Sequence, residues 1–486
     1  MRDNAMKNKR ILILAILILE LMIGYTALSA YAVNQPVNQL SGTIKLGALL
    51  PLTGDLASYG QRAKVAVKMA QDDINNYTAS KGLNVKFEFV ILDTQTKPDV
   101  ALQQLQTLNA QGVKAVVGPM TSAEVRNLLS YATSNKILMV SPSSTAAALA
   151  VPNRGYLYRT VTTDLFQDKA IAKMIVHFGY KYVAILYRGD AWGDGIAGNF
   201  PDEFAKKGGT VVGKVRYDPN TKDFTNELST LNNYVTNAIN TYGKDNVAVL
   251  TISFDEAAVI LNQAKSYSTL MSVRWFGTDG TADITKILTD AGEVASKVGL
   301  YSTIFTPAAS AKLNDFISRF RAIYGSDPDS YSIISYDSAW LIALAVIKAG
   351  TYDGEQIKNL LPSVAAEYDG VSGKIEFDQY GDRASGDYKI SYVSKDASGN
   401  YNWVVYGIWH YATDDITVLQ TTTTTTTTTL TTTTTTTTMK TTTTTTTTTT
   451  AATAAAGGFD TTTLAIVGVI VIIVIAGLAY VLLRRK

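Results

Sequence analysis

The sequence predicts an α/β protein of two doubly wound, parallel-sheet lobes, and three observations carry that prediction. From Thr43 onward, short β-branched runs alternate with helical stretches, the repetition that βαβ crossovers produce. Most of the runs are continuously apolar and do not alternate, as parallel strands covered on both faces require. Eight such units exceed one compact sheet of this kind, and the series restarts near Tyr182 after a loop at 160–164. Two lobes with a cleft between them follow.

The elements are justified in chain order. Arg2, Lys7, Lys9 and Arg10 precede an apolar run over 11–23, broken once by Glu20, and small residues then end in Ala30-Tyr31-Ala32. A basic start, a short apolar stretch and an A-x-A site predict a signal peptide over 1–32, with an uncleaved anchor as the alternative. Strands are predicted at 44–50, 86–92, 114–118, 137–141, 182–187, 210–217, 246–252 and 273–278. Between them lie helical stripes: after Tyr59-Gly60, the residues Ala66, Met69, Ala70, Ile74 and Tyr77 share one face.

Beyond the body, 27 of the 30 residues at 421–450 are Thr. Such a tract has no hydrophobic period, so 421–463 reads as an extended Thr-rich stalk and linker, a candidate for O-glycosylation. Residues 464–483 are 20 in a row without a charge, and at about 1.5 Å each they span the roughly 30 Å hydrocarbon core. Arg484-Arg485-Lys486 closes the run, placing that end inside and the body on the cell surface. With three residues inside, the helix is expected to anchor and not to relay.

Composition removes several function classes. Residues 33–420 carry 35 Lys and Arg against 38 Asp and Glu, a net of −3, whereas nucleic-acid binding needs a concentrated basic face. Cysteine is absent, which excludes disulfides, thiolate nucleophiles, Cys-ligated metals and a cysteine-linked lipid anchor. Only His177 and His410 are available as imidazoles. There is no G-x-S-x-G elbow, H-E-x-x-H, P-loop or G-x-G-x-x-G after the first strand, so neither an enzyme nor a cofactor or metal site is expected.

Ligands of open α/β sheets bind outside the carboxyl ends of the strands. In the first lobe those ends lead into Pro51 to Gly54 with Tyr59, Gly118 to Ser122, and Ser141 to Thr145. In the second they lead into Ala191-Trp192-Gly193, Ser253-Phe254-Asp255 and Gly277-Thr278-Asp279-Gly280. Hydroxyls and helix N-termini hold a carboxylate, an Asp on the facing wall holds an ammonium, and aromatic walls exclude water between them. The matching occupant is a zwitterion, an α-amino acid. By local sequence alone Ser122 also suits a cap on a helix over 123–131, Thr145 one over 146–149, and Asp279 a turn. A cap hydroxyl and its neighbouring N–H can share one anion.

Residues 44–54, Tyr59-Gly60, Asp93, Val117-Gly118-Pro119, Ser141-Pro142-Ser143-Ser144-Thr145, Tyr158-Arg159-Thr160, Trp192-Gly193-Asp194-Gly195, Asp223-Phe224, Gly277 to Gly280 and Tyr336-Asp337 follow one another at informative spacings. In that order they resemble the extracytoplasmic solute-binding proteins of branched-chain amino-acid ABC transporters, the leucine-binding-protein family, over about 43–411. The resemblance implies a type I periplasmic-binding fold with three hinge crossovers, near 160–163, 301–303 and 370–373. Lobe 1 would comprise 43–162 and 302–372, and lobe 2 163–301 and 373–415. Ser122 and Thr145 would bind the ligand carboxylate. The Ser143 carbonyl, the Thr145 hydroxyl and Asp279 would take its ammonium, while Tyr59, Trp192, Phe254 and Tyr331 would wall the side-chain pocket. Trp192 and Phe254 stand where tyrosine is common in that family, and Asp279 where Glu is, changing pocket volume and polarity. The implied partners are an ABC permease and its ATPase subunits, with membrane attachment through the C-terminal helix. Binding of amides, urea or other small solutes, or a ligand-sensing receptor ectodomain, are the alternatives.

Overall fold

Residues 40–419 are described by a computed structural model, together with the helical residues Met6, Ile13, 16–20 and Met22. The expected stalk at 421–463 and span at 464–483 lie outside the described residues, as does most of the expected signal peptide at 1–32.

The chain first builds a sheet from β1 (Gly42–Leu50), β2 (Val85–Asp93), β3 (Ala115–Val117), β4 (Leu138–Ser141) and β5 (Leu157–Arg159). All five strands are parallel, in the order β2-β1-β3-β4-β5. Helices α1 (Ala57–Ser80), α2 (Pro98–Ala110) and α3 (Ser122–Ser134) cross over between them. Leu46, Ala48, Leu49 and Leu50 of β1 are all fully buried, which is why that run carries no polar alternation. Pro98 opens α2, where its missing N–H costs nothing. At α3 the cap is Thr121 and not Ser122: Thr121 Oγ1 accepts the Glu124 N–H at 3.2 Å while Glu124 Oε2 accepts the Thr121 N–H at 3.0 Å. Thr145 likewise caps nothing, because the short turn Ala147–Leu149 starts after Ala146 with no side-chain cap.

After Arg159 the chain passes into a second sheet. Its elements are α4 (Asp164–His177), β6 (Tyr182–Arg188), α5 (Gly193–Lys206), β7 (Thr210–Tyr217), α6 (Thr225–Tyr242), β8 (Val247–Ile252), α7 (Ala257–Ala264), β9 (Arg274–Gly277), α8 (Thr285–Lys297) and β10 (Tyr301–Phe305). The chain then returns to the first lobe as α9 (Ala311–Tyr324), α10 (Ser330–Ala349) and α11 (Gly354–Glu367), with α10 packed along α1 and beneath β3 and β4. A hairpin of β11 (Asp369–Gly370) and β12 (Gly373–Lys374) precedes the final crossing. Strands β13 (Tyr388–Lys395), β14 (Tyr401–His410) and β15 (Asp415–Val418) then extend the second sheet antiparallel, giving the order β15-β14-β13-β10-β9-β8-β6-β7.

All eight strands expected from the sequence are present, within three residues at either end. The second and third passages sit beyond the expected 301–303 and 370–373. Tyr301–Phe305 is a strand of the second sheet, bonded to β9 and β13, so the chain leaves only after Phe305. The segment around Gly381 still lies on β5: the Arg159 N–H reaches the Gly381 carbonyl at 2.9 Å and the Arg383 N–H reaches the Arg159 carbonyl at 3.0 Å. Arg159 fixes this junction from inside, with Nε and Nη2 each 2.6 Å from a different oxygen of Asp382. Among the described residues one helix, α10, is long and apolar enough to cross a membrane, but 83% of its apolar window is buried within the body. It is the core helix of the first lobe.

Candidate functional site

The carboxyl ends of both sheets face each other across the cleft. From the first lobe come Tyr59 in the opening turn of α1, Met120 to Ser122 after β3, Ser143 after β4, and Tyr331 in the first turn of α10. The second lobe contributes Trp192 after β6, Phe254 after β8, and Asp279 with Gly280 after β9. The structure brings seven of the eight expected residues, Tyr59, Ser122, Ser143, Trp192, Phe254, Asp279 and Tyr331, around one cavity of about 20 Å³. That is room for about one water molecule, so the lobes are shut. Thr145 does not line it. It is buried beside the start of α4, where its carbonyl accepts the Asp164 N–H at 2.8 Å.

Gly118 makes the turn into this cavity possible. Its φ of +98° is costly for any other residue, and a Cβ there would lie 2.3 Å from the Leu49 carbonyl oxygen. Beyond it, Ser143 Oγ donates to the Met120 carbonyl at 2.7 Å and Ser122 Oγ accepts the Ala146 N–H at 3.1 Å. Hydroxyls and the first turn of α3 therefore gather on one wall, a setting suited to an anion.

Asp279 stands on the other wall and is 3% exposed. Its N–H donates to Gln167 Oε1 at 2.7 Å, Tyr331 donates to its Oδ2, and the Tyr59 hydroxyl donates to its carbonyl at 2.7 Å with the Ala282 carbonyl alongside. Burial pushes the carboxyl up to about 6, against the lowering effect of the Tyr331 and Gln167 hydrogen bonds. A cation arriving beside it would reverse that shift. Burial also holds the Tyr59 and Tyr331 phenols well above their ordinary range, so both stay neutral donors.

Two aromatic pairs close the sides. Trp192 stacks on Phe254 with centroids 4.6 Å apart, and Tyr59 meets Tyr331 edge-on at 5.2 Å. The Arg188 guanidinium covers the outer face of Phe254 at 4.8 Å. Gly280 is required beneath the stack, because a Cβ there would come within 2.5 Å of the Trp192 ring.

Sequence reasoning missed three features here. Leu56 lines the cavity unannounced, next to Met120, Thr121 and Gly280, which the strand ends mark but to which no role is assigned. Gln167 on α4, which no motif marked, positions Asp279. Lobe-to-lobe bonds at the mouth were not anticipated either. The Ser58 N–H and hydroxyl donate to Asp255 Oδ2 at 3.2 and 3.0 Å, and Arg188 Nη1 donates to Asp55 Oδ2 at 3.0 Å. Asp255 stands at a strand end that the sequence marks, but its partner Ser58 lies 197 positions away.

A larger cavity of about 900 Å³ opens on the first lobe among Tyr77, Trp340, Tyr368 and Lys312. It is bordered by one lobe only and by none of the strand ends just described. Strand-end chemistry outweighs volume here, because the cleft is closed while that groove is open. Among the described residues no group of His, Asp or Glu is arranged to hold a metal ion.

Residues 62–396 match the family described as the receptor family ligand-binding region. An uncharacterized protein of Methanocaldococcus jannaschii is 35% identical over 393 residues, covering 77% of this chain and 91% of that protein. The leucine-, isoleucine-, valine-, threonine- and alanine-binding protein of Pseudomonas aeruginosa is 27% identical, covering 73% of this chain and 91% of its own length. Among solved structures, the branched-chain amino acid transporter substrate-binding protein of Streptococcus pneumoniae, in complex with isoleucine, superposes with a TM-score of 0.62 at 25% identity. That match covers 75% of this chain and the whole of the other. Fold, strand-end geometry and relatives agree, and the chain belongs to the receptor-family ligand-binding proteins as a solute-binding protein of the leucine-binding type, with the type I periplasmic-binding fold.

Proposed function

We propose that this protein captures an α-amino acid with an apolar side chain between its two lobes and delivers it to an ABC-transporter permease. One observation carries the reading: a wall of hydroxyls, Ser122 and Ser143, faces a buried acid, Asp279, across a cavity sided by aromatic rings. Carboxylate and ammonium are the two ends such a cavity matches, and the rings leave no charge for a polar side chain. The Pseudomonas relative, named for leucine, isoleucine, valine, threonine and alanine, and the Streptococcus protein, named for branched-chain amino acids, support an amino-acid ligand.

Because the ligand touches both lobes at once, it binds the closed arrangement better than the open one, and that difference drives closure. Energy for transport would come from the ATPase subunits of the transporter. The leader at 1–32, the stalk at 421–463 and the charge-free run at 464–483 support a body held outside the cytoplasmic membrane.

The experiment is thermal denaturation of the full-length protein in detergent against the twenty amino acids, acetamide, urea and sugars. An apolar amino acid at about 100 times its Kd stabilises by roughly 2.7 kcal/mol. A shift with amides or urea alone overturns the zwitterion reading.

A further inference from the structure

Helix α1 begins without a cap of its own. Leu56 stands at the N-cap and offers no side-chain acceptor, and no acid lies in the first turn of this 24-residue helix. The N–H groups that open a helix must still find partners, and here each can be followed. Thr96 Oγ1 accepts the Leu56 N–H at 3.0 Å. The Gly54 carbonyl takes the Ala57 N–H and the Leu56 carbonyl that of Tyr59, each at 3.2 Å. Thr96 and its neighbour Gln95 hold left-handed backbone, φ +58° and +57°, which is costly for a β-branched residue and persists only where the surroundings fix it. This part of the helix start is therefore set within its own lobe. The remaining donor is not. The Ser58 N–H goes to Asp255 Oδ2 at 3.2 Å, in the turn between β8 and α7 of the second lobe. Ser58 is the second helical residue, a position that a capping side chain ordinarily serves.

Asp255 is spent on the cleft and not on its own lobe. It is 5% exposed, and both hydrogen bonds of its carboxylate, from the Ser58 N–H and hydroxyl, cross to the first lobe. Its other oxygen, Oδ1, has no hydrogen-bond partner. The Asp255 N–H returns the contact by donating to the Asp55 carbonyl at 2.9 Å. Side chain to backbone in one direction and backbone to backbone in the other make a reciprocal arrangement, like a capping box divided between two lobes. The same face of α1 goes on across the cleft one turn later, where Arg62 Nη1 and Nη2 reach the Asp283 carbonyl at 3.0 Å and Thr285 Oγ1 at 2.7 Å. Asp255 itself lines no part of the ligand cavity.

We propose that Asp255 is a positioning residue for ligand capture, which caps α1 from the opposite lobe, so that closing the cleft completes the helix and opening it uncaps the helix. This rests on the capture reading above. Tyr59, in the same first turn, lines the ligand cavity, so the cap steadies a ligand-contacting side chain without touching the ligand. Because the cap exists only in the closed arrangement, it favours that arrangement over the open one, and its contribution appears in how long the ligand stays.

The test is stopped-flow measurement of isoleucine association and release with the full-length protein in detergent. In Asp255→Ala release is about tenfold faster while association stays within about threefold, because the cap forms only after the lobes meet. Asp255→Asn keeps a capping oxygen and returns release to within about threefold of wild type. A residue that merely stabilised its own lobe would not divide the two rates in this way. Unchanged release in Asp255→Ala overturns the proposal, as does an Asp255→Asn variant that releases as fast as the alanine one. Hydrogen exchange of the wild type decides the matter even if the variants do not fold: the amides of 57–60 exchange at least about tenfold more slowly once isoleucine is bound. Heat of isoleucine binding with no change in that exchange overturns the cap alone. Absence of heat with all twenty amino acids overturns the capture reading beneath it, which separates the two failures.

Discussion

The Tyr331 hydroxyl donates to Asp279 Oδ2, joining the first turn of α10 in the first lobe to the loop after β9 in the second. Asp279 is thereby held from both sides, by Tyr331 and Tyr59 across the cleft and by Gln167 from behind. The bond also lowers the Asp279 carboxyl against the effect of burial. Removing it in Tyr331→Phe takes away one closing contact and makes Asp279 harder to ionise. The expected outcome is a Kd for isoleucine about tenfold weaker at pH 7, equivalent to roughly 1.4 kcal/mol, read by calorimetric titration. An unchanged Kd would place the ammonium elsewhere.

Asp255 gives a pH prediction whose sign can be worked out. Burial raises its carboxyl to about 6, opposed by the two Ser58 bonds. Between the unfolded value near 4 and the folded value near 6, the native state binds more protons than the unfolded one, so stability falls as pH rises through that window and levels off above it. Asp255→Asn removes its share of the slope, on the order of 1–3 kcal/mol. Urea denaturation at pH 4.5 and pH 7 measures it, and a variant with the wild-type difference would contradict the assignment.

Arg159, Arg154 and Asp382 form a fully enclosed charge cluster at the junction between the lobes. Asp382→Ala leaves two buried guanidinium groups without their counter-charge, which costs about 3–5 kcal/mol. A loss below about 1 kcal/mol in denaturant titration would mean that the junction relaxes and lets water in.

Gly280 sets how closely the aromatic stack approaches Asp279. Its Cα faces the Trp192 ring and the Ser253 carbonyl, which an added Cβ would meet at 2.5 and 2.6 Å. Gly280→Ala should therefore displace Trp192, lower stability by about 1–3 kcal/mol and weaken isoleucine binding more than tenfold. Equal binding in the variant would show that the Trp192–Phe254 wall is not part of the ligand pocket.

The legible part of the fold was the part written as continuous apolar strands. β1 and β8 are buried on every residue that matters, so period and burial coincide. Strands β13 and β14 were not read, because half-exposed antiparallel strands such as Tyr401–His410 mix aromatic, polar and small residues without a clean alternation. β5 is three residues long, too short for any period. At the cleft, residues placed by strand ends were legible as a set. Gln167 was not, since its role depends on α4 packing against β10 and reaching the loop after β9, a relationship between segments more than a hundred positions apart. The acids on α4 were silent for the same reason: Asp164 and Asp168 read as ordinary helix-start charges until burial is known.

The most direct measurement is the calorimetric affinity of the full-length protein for isoleucine against its 2-hydroxy analogue, in wild type and in Asp279→Asn. An acid gripping an ammonium predicts that wild type prefers isoleucine by at least a hundredfold, and that Asp279→Asn, still folded by circular dichroism, loses nearly all of that preference. Equal affinities for the two compounds in wild type, or a preference that survives the substitution, would contradict it.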